Sequence, residues 1–281
     1  MKRFSSFINH DNGRKIFFQT WHPEEKPRAT IIIAHGYAEH SGRYTYTAEY
    51  LVRQGFAVYA PDHYGHGKSD GTKADVPKFE VFTTDLYKLY TIAKNKEKNN
   101  IFLLGHSMGG AIGAHFAITH PDALKGIILS GPGIRVTTDV PPVMKALSKI
   151  LAALFPALPV VEFDIEGISR NKDVIENYLN DPLTYTGKVR ARMGRELLRV
   201  ENLTSAERLS EISIPALILH GGDDRVVDPS CSRIIYDNIS SEDKELIILP
   251  GLYHEILNSD KKDSILDTIT EWINKRLQTG R

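Results

Sequence analysis

The segment Gly105-His106-Ser107-Met108-Gly109 constrains the fold of this chain more than any other feature. It directly follows an apolar run at residues 101–104 and directly precedes a helical pattern at residues 109–120. A serine between two glycines in this context marks a sharp turn from a strand into a helix, and the glycines leave room for close packing. The sequence therefore predicts a buried strand, a tight turn and a helix in direct succession.

Short apolar runs alternate with helical patterns along most of the chain. The runs are rich in isoleucine, leucine and valine on both faces, which is typical of strands buried in a parallel sheet. They lie at residues 30–34, 56–60, 101–104, 126–129, 216–219 and 246–249. The helical patterns lie at residues 44–54, 82–94, 109–120 and 230–238. This alternation predicts an α/β fold with a mostly parallel central sheet flanked by helices.

The N-terminal residues have the pattern of a β-hairpin. Two strand-like runs, residues 4–9 and 15–21, lie on either side of the turn signal Asp11-Asn12-Gly13. We therefore expect an antiparallel strand pair ahead of the parallel sheet.

The alternation of strands and helices is interrupted once. After Gly131-Pro132-Gly133 the next strand-like run begins only at Ala216, and the intervening segment is mainly helical in pattern. We interpret residues 135–205 as a helical cap inserted into one α/β domain, whose two parts are residues 1–134 and 206–281.

The composition excludes several classes of protein. Lysine and arginine together number 35, as do aspartate and glutamate, so no basic surplus indicates a nucleic-acid partner. The single cysteine, Cys231, excludes an internal disulfide. No window approaches the ~20 apolar residues that span a membrane, and the N-terminus lacks the apolar stretch of a signal peptide. We therefore expect a cytoplasmic protein.

Ser107 is the candidate nucleophile. A serine hydroxyl needs a general base, and in folds with this turn the acid and the histidine follow on loops after later strands. His254 comes just after the last predicted strand, so we expect it to take the Ser107 proton. Three carboxylates near the end of the run at 216–219 compete to orient the imidazole: Asp223, Asp224 and Asp228.

The loop after the strand at residues 30–34 supplies candidates for stabilising a developing oxyanion. Its sequence, His35-Gly36-Tyr37, occupies the position at which such folds place one backbone donor. The second donor follows the nucleophile at the start of the helix. We therefore expect the backbone N–H groups of Tyr37 and Met108 to form an oxyanion hole.

Several segments together resemble a known family, the monoacylglycerol lipases within the lysophospholipase-like serine hydrolases. The motifs that carry the resemblance are HGYAEHSGRY at 35–44, DHYGHGKS at 62–69, GHSMGG at 105–110, the loops at 220–227 and 253–254, and cap segments 168–172 and 178–183. The likeness implies an α/β-hydrolase fold for nearly the whole chain. Because the family's acid follows a G-x-x-D pattern, which counts from Gly221 to Asp224, it also implies the triad Ser107, Asp224 and His254.

The resemblance further implies a head-group pocket. In relatives, the residues at the positions of Glu39, Arg43, His106 and Tyr178 surround the glycerol head group. By position alone, Glu39 and Arg43 are either an i,i+4 surface ion pair or, because they come just after the oxyanion loop, residues at the mouth of the site. Relatives can also place a histidine shortly after the catalytic one, whereas here Glu255-Ile256-Leu257-Asn258 follow His254.

The expected activity is hydrolysis of the carboxylic ester of a monoacylglycerol, through an acyl-enzyme, to free fatty acid and glycerol. The alternatives are a lysophospholipase or broad carboxylesterase, an aminopeptidase-like serine enzyme, and a scaffold that only binds a ligand. We expect no metal and no cofactor, since His63 and His66 suggest no third ligand and fit a structural role better.

One cap helix has two interpretations. Residues 143–155 are apolar at nearly every position except Lys145, Ser148 and Lys149. Such a helix either packs on the core or lines an acyl tunnel and makes a peripheral membrane contact, with the two lysines on one face.

Overall fold

A computed structural model describes residues 1–136 and 142–278, with the side chains of residues 142 and 144–146 outside the description. The predicted contribution of the Lys145 side chain to the cap surface therefore lies outside the described residues.

The strands agree closely with the apolar runs of the sequence. They are β1 (Lys2–Asn9), β2 (Lys15–His22), β3 (Ala29–Ala34), β4 (Phe56–Pro61), β5 (Ile101–His106), β6 (Gly126–Ser130), β7 (Pro159–Val161), β8 (Val189–Arg190), β9 (Ala216–Gly221) and β10 (Lys244–Leu249). Several strands extend one or two residues beyond the predicted runs, because ladder hydrogen bonds continue into polar residues such as His106 and His220.

Helices follow most of the strands. They are α1 (Thr45–Arg53), α2 (Glu80–Glu97), α3 (Met108–Thr119), α4 (Pro142–Leu154), α5 (Lys172–Asn180), α6 (Ala191–Leu203), α7 (Ala206–Leu209), α8 (Ser230–Asn238) and α9 (Lys262–Gln278). Short 3-10 helices lie at Ser41–Tyr44 and Ile256–Asn258.

The central sheet of the described residues has eight strands in the order β1-β2-β4-β3-β5-β6-β9-β10. β1 pairs antiparallel with β2, and β2 pairs antiparallel with β4, whereas the remaining neighbours are parallel. The predicted hairpin and the mostly parallel sheet are therefore confirmed.

Two apolar layers cover the sheet. The residues of β3, β4, β5, β6 and β9 are all buried, which is why these strands are apolar on both faces. On one face they pack against α2, α3 and α8, through side chains such as Phe82 and Phe116. On the other face they pack against α1 and α9, through Leu51 and Trp272.

The segment between β6 and β9 contains α4, α5, α6 and α7, in agreement with the mainly helical pattern of the sequence. It also contains a small antiparallel pair, β7 with β8, that the sequence did not predict. Strands of two and three residues, one of which starts at a proline, are too short to give a periodic signal. The cap boundaries at 135 and 205 stay a prediction.

Among the described residues, no helix combines the length and the apolar character needed to cross a membrane. The parallel strands instead bring four loops to one edge of the sheet, because the carboxyl ends of such strands lie together. These loops follow β3, β5, β9 and β10, and they carry Tyr37, Ser107, Asp224 and His254.

Candidate active site

Ser107 occupies the turn between β5 and α3 in a backbone conformation that few side chains adopt. Its φ is 55° and its ψ is −120°, and its N–H donates to the Ser130 carbonyl at 2.9 Å. Such a conformation costs about 1–3 kcal/mol and is maintained by the surrounding structure. The predicted strand–turn–helix unit is therefore present.

The flanking glycines make this turn possible. A Cβ on Gly105 would lie 2.3 Å from the Gly109 carbonyl oxygen, and one on Gly109 would lie 2.0 Å from the Ala34 carbonyl oxygen. Both distances are far inside van der Waals contact with backbone atoms. The helix can therefore begin directly against β3 and β5 only if both positions are glycine.

Asp224 is the aspartate that contacts His254. The Nδ1–H of His254 donates to Asp224 Oδ2 at 2.7 Å, and both side chains are buried. The other two candidates face elsewhere: Asp223 is paired with Arg170 at the surface, and Asp228 accepts from the Ser230 N–H.

The Asp224 carboxylate is held in its charged form. Burial disfavours the charge, but the imidazole of His254 and hydrogen bonds from His220, His254 and the backbone outweigh it and lower the pKa of Asp224 below its ordinary value. Its second oxygen, Oδ1, accepts from the N–H groups of Val226 and Val227 at 2.8 and 2.9 Å. Both oxygens therefore have fixed partners.

The remaining nitrogen of His254 is available for chemistry. Nε2 is buried and has no hydrogen-bond partner within the part of the chain that the structure describes. Because Nδ1–H is fixed by Asp224, Nε2 carries the lone pair that can accept a proton. Gly131 packs closely against this imidazole, since a Cβ at that position would lie 3.2 Å from the ring. Its φ of +53° also favours glycine there.

The loop after β3 is oriented by its own histidine. The Nδ1–H of His35 donates to the Gly36 carbonyl at 2.8 Å, while Nε2 accepts the His63 N–H at 2.9 Å. Burial lowers the pKa of His35 to about 4, so the ring stays neutral and keeps its acceptor. In a trans peptide the carbonyl and the next N–H point in opposite directions, so the N–H of Tyr37 points away from His35.

The loop that carries Tyr37 and the start of α3 both lie next to the serine. A Cβ on Gly36 would lie 3.2 Å from Ser107 Cβ, so this loop passes directly over the nucleophile. Met108 is the first residue of α3, and a first-turn N–H has no acceptor within its helix. The role of the Tyr37 and Met108 N–H groups as an oxyanion hole stays a prediction, with which these positions are compatible.

His220 was missed by the sequence analysis. Its Nε2 lies 3.1 Å from Asp224 Oδ2 and 2.9 Å from the Val227 carbonyl oxygen, so this nitrogen must carry a hydrogen. Its Nδ1 lies 2.6 Å from Ser232 Oγ. The available signal was a polar residue within a strand that is otherwise apolar and ends at the acid loop.

Glu39 and Arg43 form a buried ion pair, so their interpretation as a surface pair is wrong. Nη1 of Arg43 donates to Glu39 Oε2 at 2.7 Å. Glu39 Oε1 accepts from the Gly36 N–H at 2.6 Å and from the Tyr44 hydroxyl at 2.7 Å. Burial would raise the pKa of Glu39, but Arg43 and nearby imidazoles lower it to about 2.

The structure brings Tyr178 and His106 to the same place. The Tyr178 ring lies 4.8 Å from Arg43 Cζ, and its hydroxyl donates to the Ala38 carbonyl at 3.0 Å. The His106 and His254 ring centroids are 4.7 Å apart, and burial together with His254 lowers the pKa of His106 to about 4. Arg43 thus contacts both Tyr178 and Glu39, and His106 lies against His254, while a head-group role for these four residues stays a prediction.

Glu255 is the second residue that the sequence analysis missed, although it was noted as a departure from the family. Its two oxygens accept Nη1 and Nη2 of Arg43 at 2.6 and 2.8 Å. Within the described residues no group of histidine, cysteine and acidic side chains has an arrangement suited to a metal ion. His63 instead packs against His35, with ring centroids 4.2 Å apart.

Comparison with known proteins identifies the family to which this site corresponds. The family described as serine aminopeptidase, S33 matches residues 25–261. A monoacylglycerol lipase of Mycolicibacterium smegmatis is 36% identical over 94% of this chain and 95% of its own. A monoglyceride lipase of Rattus norvegicus is 34% identical over 96% of this chain and 90% of its own.

A solved structure of similar shape is the Paleococcus ferrophilus monoacylglycerol lipase. Its TM-score is 0.80 at 28% sequence identity, and the match covers 98% of this chain and 100% of that one. The fold is therefore shared over essentially the whole length of both chains.

Proposed function

The chain belongs to the serine aminopeptidase S33 family and, within it, to the monoacylglycerol lipases, and from this premise we propose that it hydrolyses monoacylglycerols at Ser107. It is a serine ester hydrolase with the α/β-hydrolase fold. The observation that carries the proposal is the 2.7 Å contact of Asp224 with His254, whose Nε2 is buried and unpartnered among the described residues.

In the proposed reaction His254 Nε2 takes the proton of Ser107 as Oγ attacks the ester carbonyl. The developing oxyanion accepts hydrogen bonds from the N–H groups of Tyr37 and Met108. The imidazolium, stabilised by Asp224, then protonates the glycerol oxygen as the C–O bond breaks. A water molecule activated by the same histidine attacks the acyl-enzyme, which releases the fatty acid and restores Ser107.

Ester chemistry is distinguished from amide chemistry by a substrate panel, because the family description names an aminopeptidase. The panel contains a monoacylglycerol, a lysophospholipid, a triacylglycerol and an aminoacyl amide. We expect the highest kcat/KM for the monoacylglycerol. A higher value for the amide or for the lysophospholipid would replace the proposed substrate by that class.

The proposed glycerol site lies between Glu39 and Tyr178. Three of the roughly four acceptor positions of the Glu39 carboxylate are occupied by Gly36, Tyr44 and Arg43, which leaves one for a glycerol hydroxyl. The Tyr178 hydroxyl donates to Ala38, so its lone pairs remain available to a second hydroxyl.

Tyr178→Phe is expected to lower kcat/KM for a monoacylglycerol by about tenfold, which corresponds to one lost hydrogen bond. The value for the ethyl ester of the same fatty acid should stay within about twofold. The matched control is Tyr185→Phe, because the Tyr185 hydroxyl bonds only to the Lys188 carbonyl in the hydrogen bonds described. Equal losses on both substrates in Tyr178→Phe would contradict a glycerol pocket.

The cap carries an apolar stripe that fits the surface of a lipid bilayer. Val143, Leu147, Ile150 and Leu154 lie on one face of α4, at intervals of three and four residues, and they are 71%, 41%, 56% and 66% exposed. Contiguous exposed apolar surface of this kind marks an interaction site. We propose that this face of α4 contacts membranes, from which the substrate enters.

Beside this stripe, α4 borders an apolar cavity of about 540 Å³, and Leu147 lies at the boundary between the two. Leu147 and Leu151 from α4, Val160 from β7, and Leu197 and Leu198 from α6 contribute to its walls. An apolar cavity of this volume suits an acyl chain. One helix would thus contact the bilayer through its exposed stripe and the acyl chain of the substrate through the adjoining residues.

Ile150→Ser is expected to weaken binding to phosphatidylcholine liposomes by about tenfold, because the variant lacks the favourable free energy of transferring an isoleucine side chain from water into lipid. Turnover of a long-chain monoacylglycerol on liposomes should fall in parallel, while turnover of a short soluble ester stays unchanged. Cosedimentation and the two assays measure these effects. The matched control is Ile92→Ser on α2, where an isoleucine is 36% exposed away from the cap.

The contrary result for Ile150→Ser is an equal loss of both activities accompanied by a lower melting temperature. That outcome would show that α4 serves only to pack the cap.

A further inference from the structure

Glu255 directly follows His254 and is buried, yet the proposed reaction gives it no role. Its carboxylate is fixed from several sides. Arg43 donates Nη1 to Oε1 at 2.6 Å and Nη2 to Oε2 at 2.8 Å, and Asn258 Nδ2 donates to Oε2 at 2.9 Å. A bidentate pair with a guanidinium has both a short distance and a fixed orientation.

The guanidinium of Arg43 continues this connection to the other side of the site. The same Nη1 that binds Glu255 also donates to Glu39 Oε2 at 2.7 Å. Glu39 in turn accepts the N–H of Gly36, the residue before Tyr37, at 2.6 Å. A continuous series of buried hydrogen bonds thus joins the residue after His254 to the peptide before the Tyr37 N–H.

Residues of the segment between β6 and β9 contact this series of hydrogen bonds at two points. The Glu255 N–H donates to the Ile168 carbonyl at 2.8 Å, and the Tyr178 ring covers the Arg43 guanidinium at 4.8 Å. Burial favours the neutral form of Arg43, but the charges of Glu255 and Glu39 outweigh it and raise its pKa well above the ordinary value. The guanidinium therefore stays charged between the two carboxylates.

We propose that Glu255 is a positioning residue that, through Arg43 and Glu39, fixes the loop of the general base relative to the loop of the oxyanion donor. The inference rests on the proposed function only for the roles of His254 and Tyr37. The His254 imidazole and the Tyr37 N–H must each be placed within a fraction of an ångström to act on the same ester. They lie on different loops, and the contact that joins these loops, Arg43 with Glu255, spans 212 residues of sequence. Arg43 and Glu255 supply a direct link between these loops.

The test compares Glu255→Gln with the matched control Asp260→Asn, an exposed carboxylate-to-amide change on the same loop. A glutamine presents an amide NH₂ to one guanidinium nitrogen, so only one of the two Arg43 bonds can survive. The substrates are p-nitrophenyl butyrate, which has no glycerol, and a monoacylglycerol. The quantities measured are kcat, KM and the melting temperature of each purified protein.

We expect Glu255→Gln to lower kcat by on the order of 10- to 100-fold on both substrates, with KM for p-nitrophenyl butyrate within about twofold, because alignment of the chemistry is disturbed and binding of the short ester is not. Asp260→Asn should match the wild type. Should Glu255→Gln fail to fold, Glu255→Ala, which leaves Arg43 paired with Glu39, gives the same comparison.

An unchanged kcat on p-nitrophenyl butyrate would overturn the proposal. A loss confined to the monoacylglycerol would also overturn it, because Glu255 would then belong to the head-group pocket. The short ester makes this inference testable separately from the proposed function. A wild-type protein without preference for monoacylglycerols would refute the proposed function. The kcat of Glu255→Gln on p-nitrophenyl butyrate would still test whether Glu255 positions the two loops.

Discussion

Ser107→Ala is expected to lower kcat for every ester by about 10⁶, as loss of the nucleophile does in other serine hydrolases. The reason is that no other group at the site can form the acyl-enzyme, while the oxyanion donors and the substrate pocket remain. Alanine has a Cβ like serine, so the strained turn at φ 55° should persist. Hydrolysis of p-nitrophenyl butyrate and of a monoacylglycerol, together with the melting temperature, measures this effect.

The matched control for Ser107→Ala is Ser130→Ala at the end of β6. Ser130 is a buried serine whose Oγ lies 3.1 Å from His106 Nδ1, so its hydroxyl is near the site but is given no chemical role. We expect this variant to keep activity within about tenfold, which is the loss of one hydrogen bond. A fluorophosphonate probe should label Ser107 in it and in the wild type. Activity in Ser107→Ala, or labelling of another serine, would refute the assignment.

The sheet was predictable because its strands are buried on both faces. Runs such as residues 30–34 and 101–104 admit few other structures once glycines and helical patterns separate them. The ends of the strands were less certain, since β5 and β9 continue through His106 and His220, whose polarity resembles the start of a loop. The β7–β8 pair gave no signal, because its pairing is set by contacts within the cap.

The catalytic assignment depended on chain order and on the position of loops. Ser107 and His254 each follow a predicted strand, so their meeting at one edge follows from a parallel sheet. The choice among Asp223, Asp224 and Asp228 could not be derived in this way, because a change of one residue in the loop decides which carboxylate faces inward. Here the family pattern was needed, and the structure places Asp224 against His254.

The two residues that were missed have partners determined by tertiary structure. His220 contacts Asp224 only because the acid loop folds back over the end of β9. Glu255 meets Arg43 across 212 residues, from a loop on the far side of the site. His220 and Asp224 are four residues apart, but they lie at a strand end and in a loop, where that spacing predicts no contact, and no spacing relates Glu255 to Arg43.

Asp224→Asn is expected to lower kcat by on the order of 10⁴ with little change in KM, as loss of the orienting carboxylate does in other triads. The geometry gives a specific reason. Oδ1 accepts two fixed backbone N–H groups, from Val226 and Val227, whereas the His220 N–H near Oδ2 can keep the Val227 carbonyl as its acceptor, so the asparagine oxygen should take the Oδ1 position. The amide NH₂ then replaces Oδ2, the atom that faces His254 Nδ1 at 2.7 Å.

An NH₂ group in that place donates to Nδ1 and requires the tautomer of His254 that carries its hydrogen on Nε2. Such an imidazole has no lone pair directed at Ser107, so it cannot take the serine proton. Asp223→Asn and Asp228→Asn are the matched controls, because these side chains bind Arg170 and the Ser230 N–H instead. We expect both to stay within about tenfold of wild type, since each loses at most a surface interaction. A greater loss in Asp223→Asn than in Asp224→Asn would transfer the orienting role to the neighbouring carboxylate.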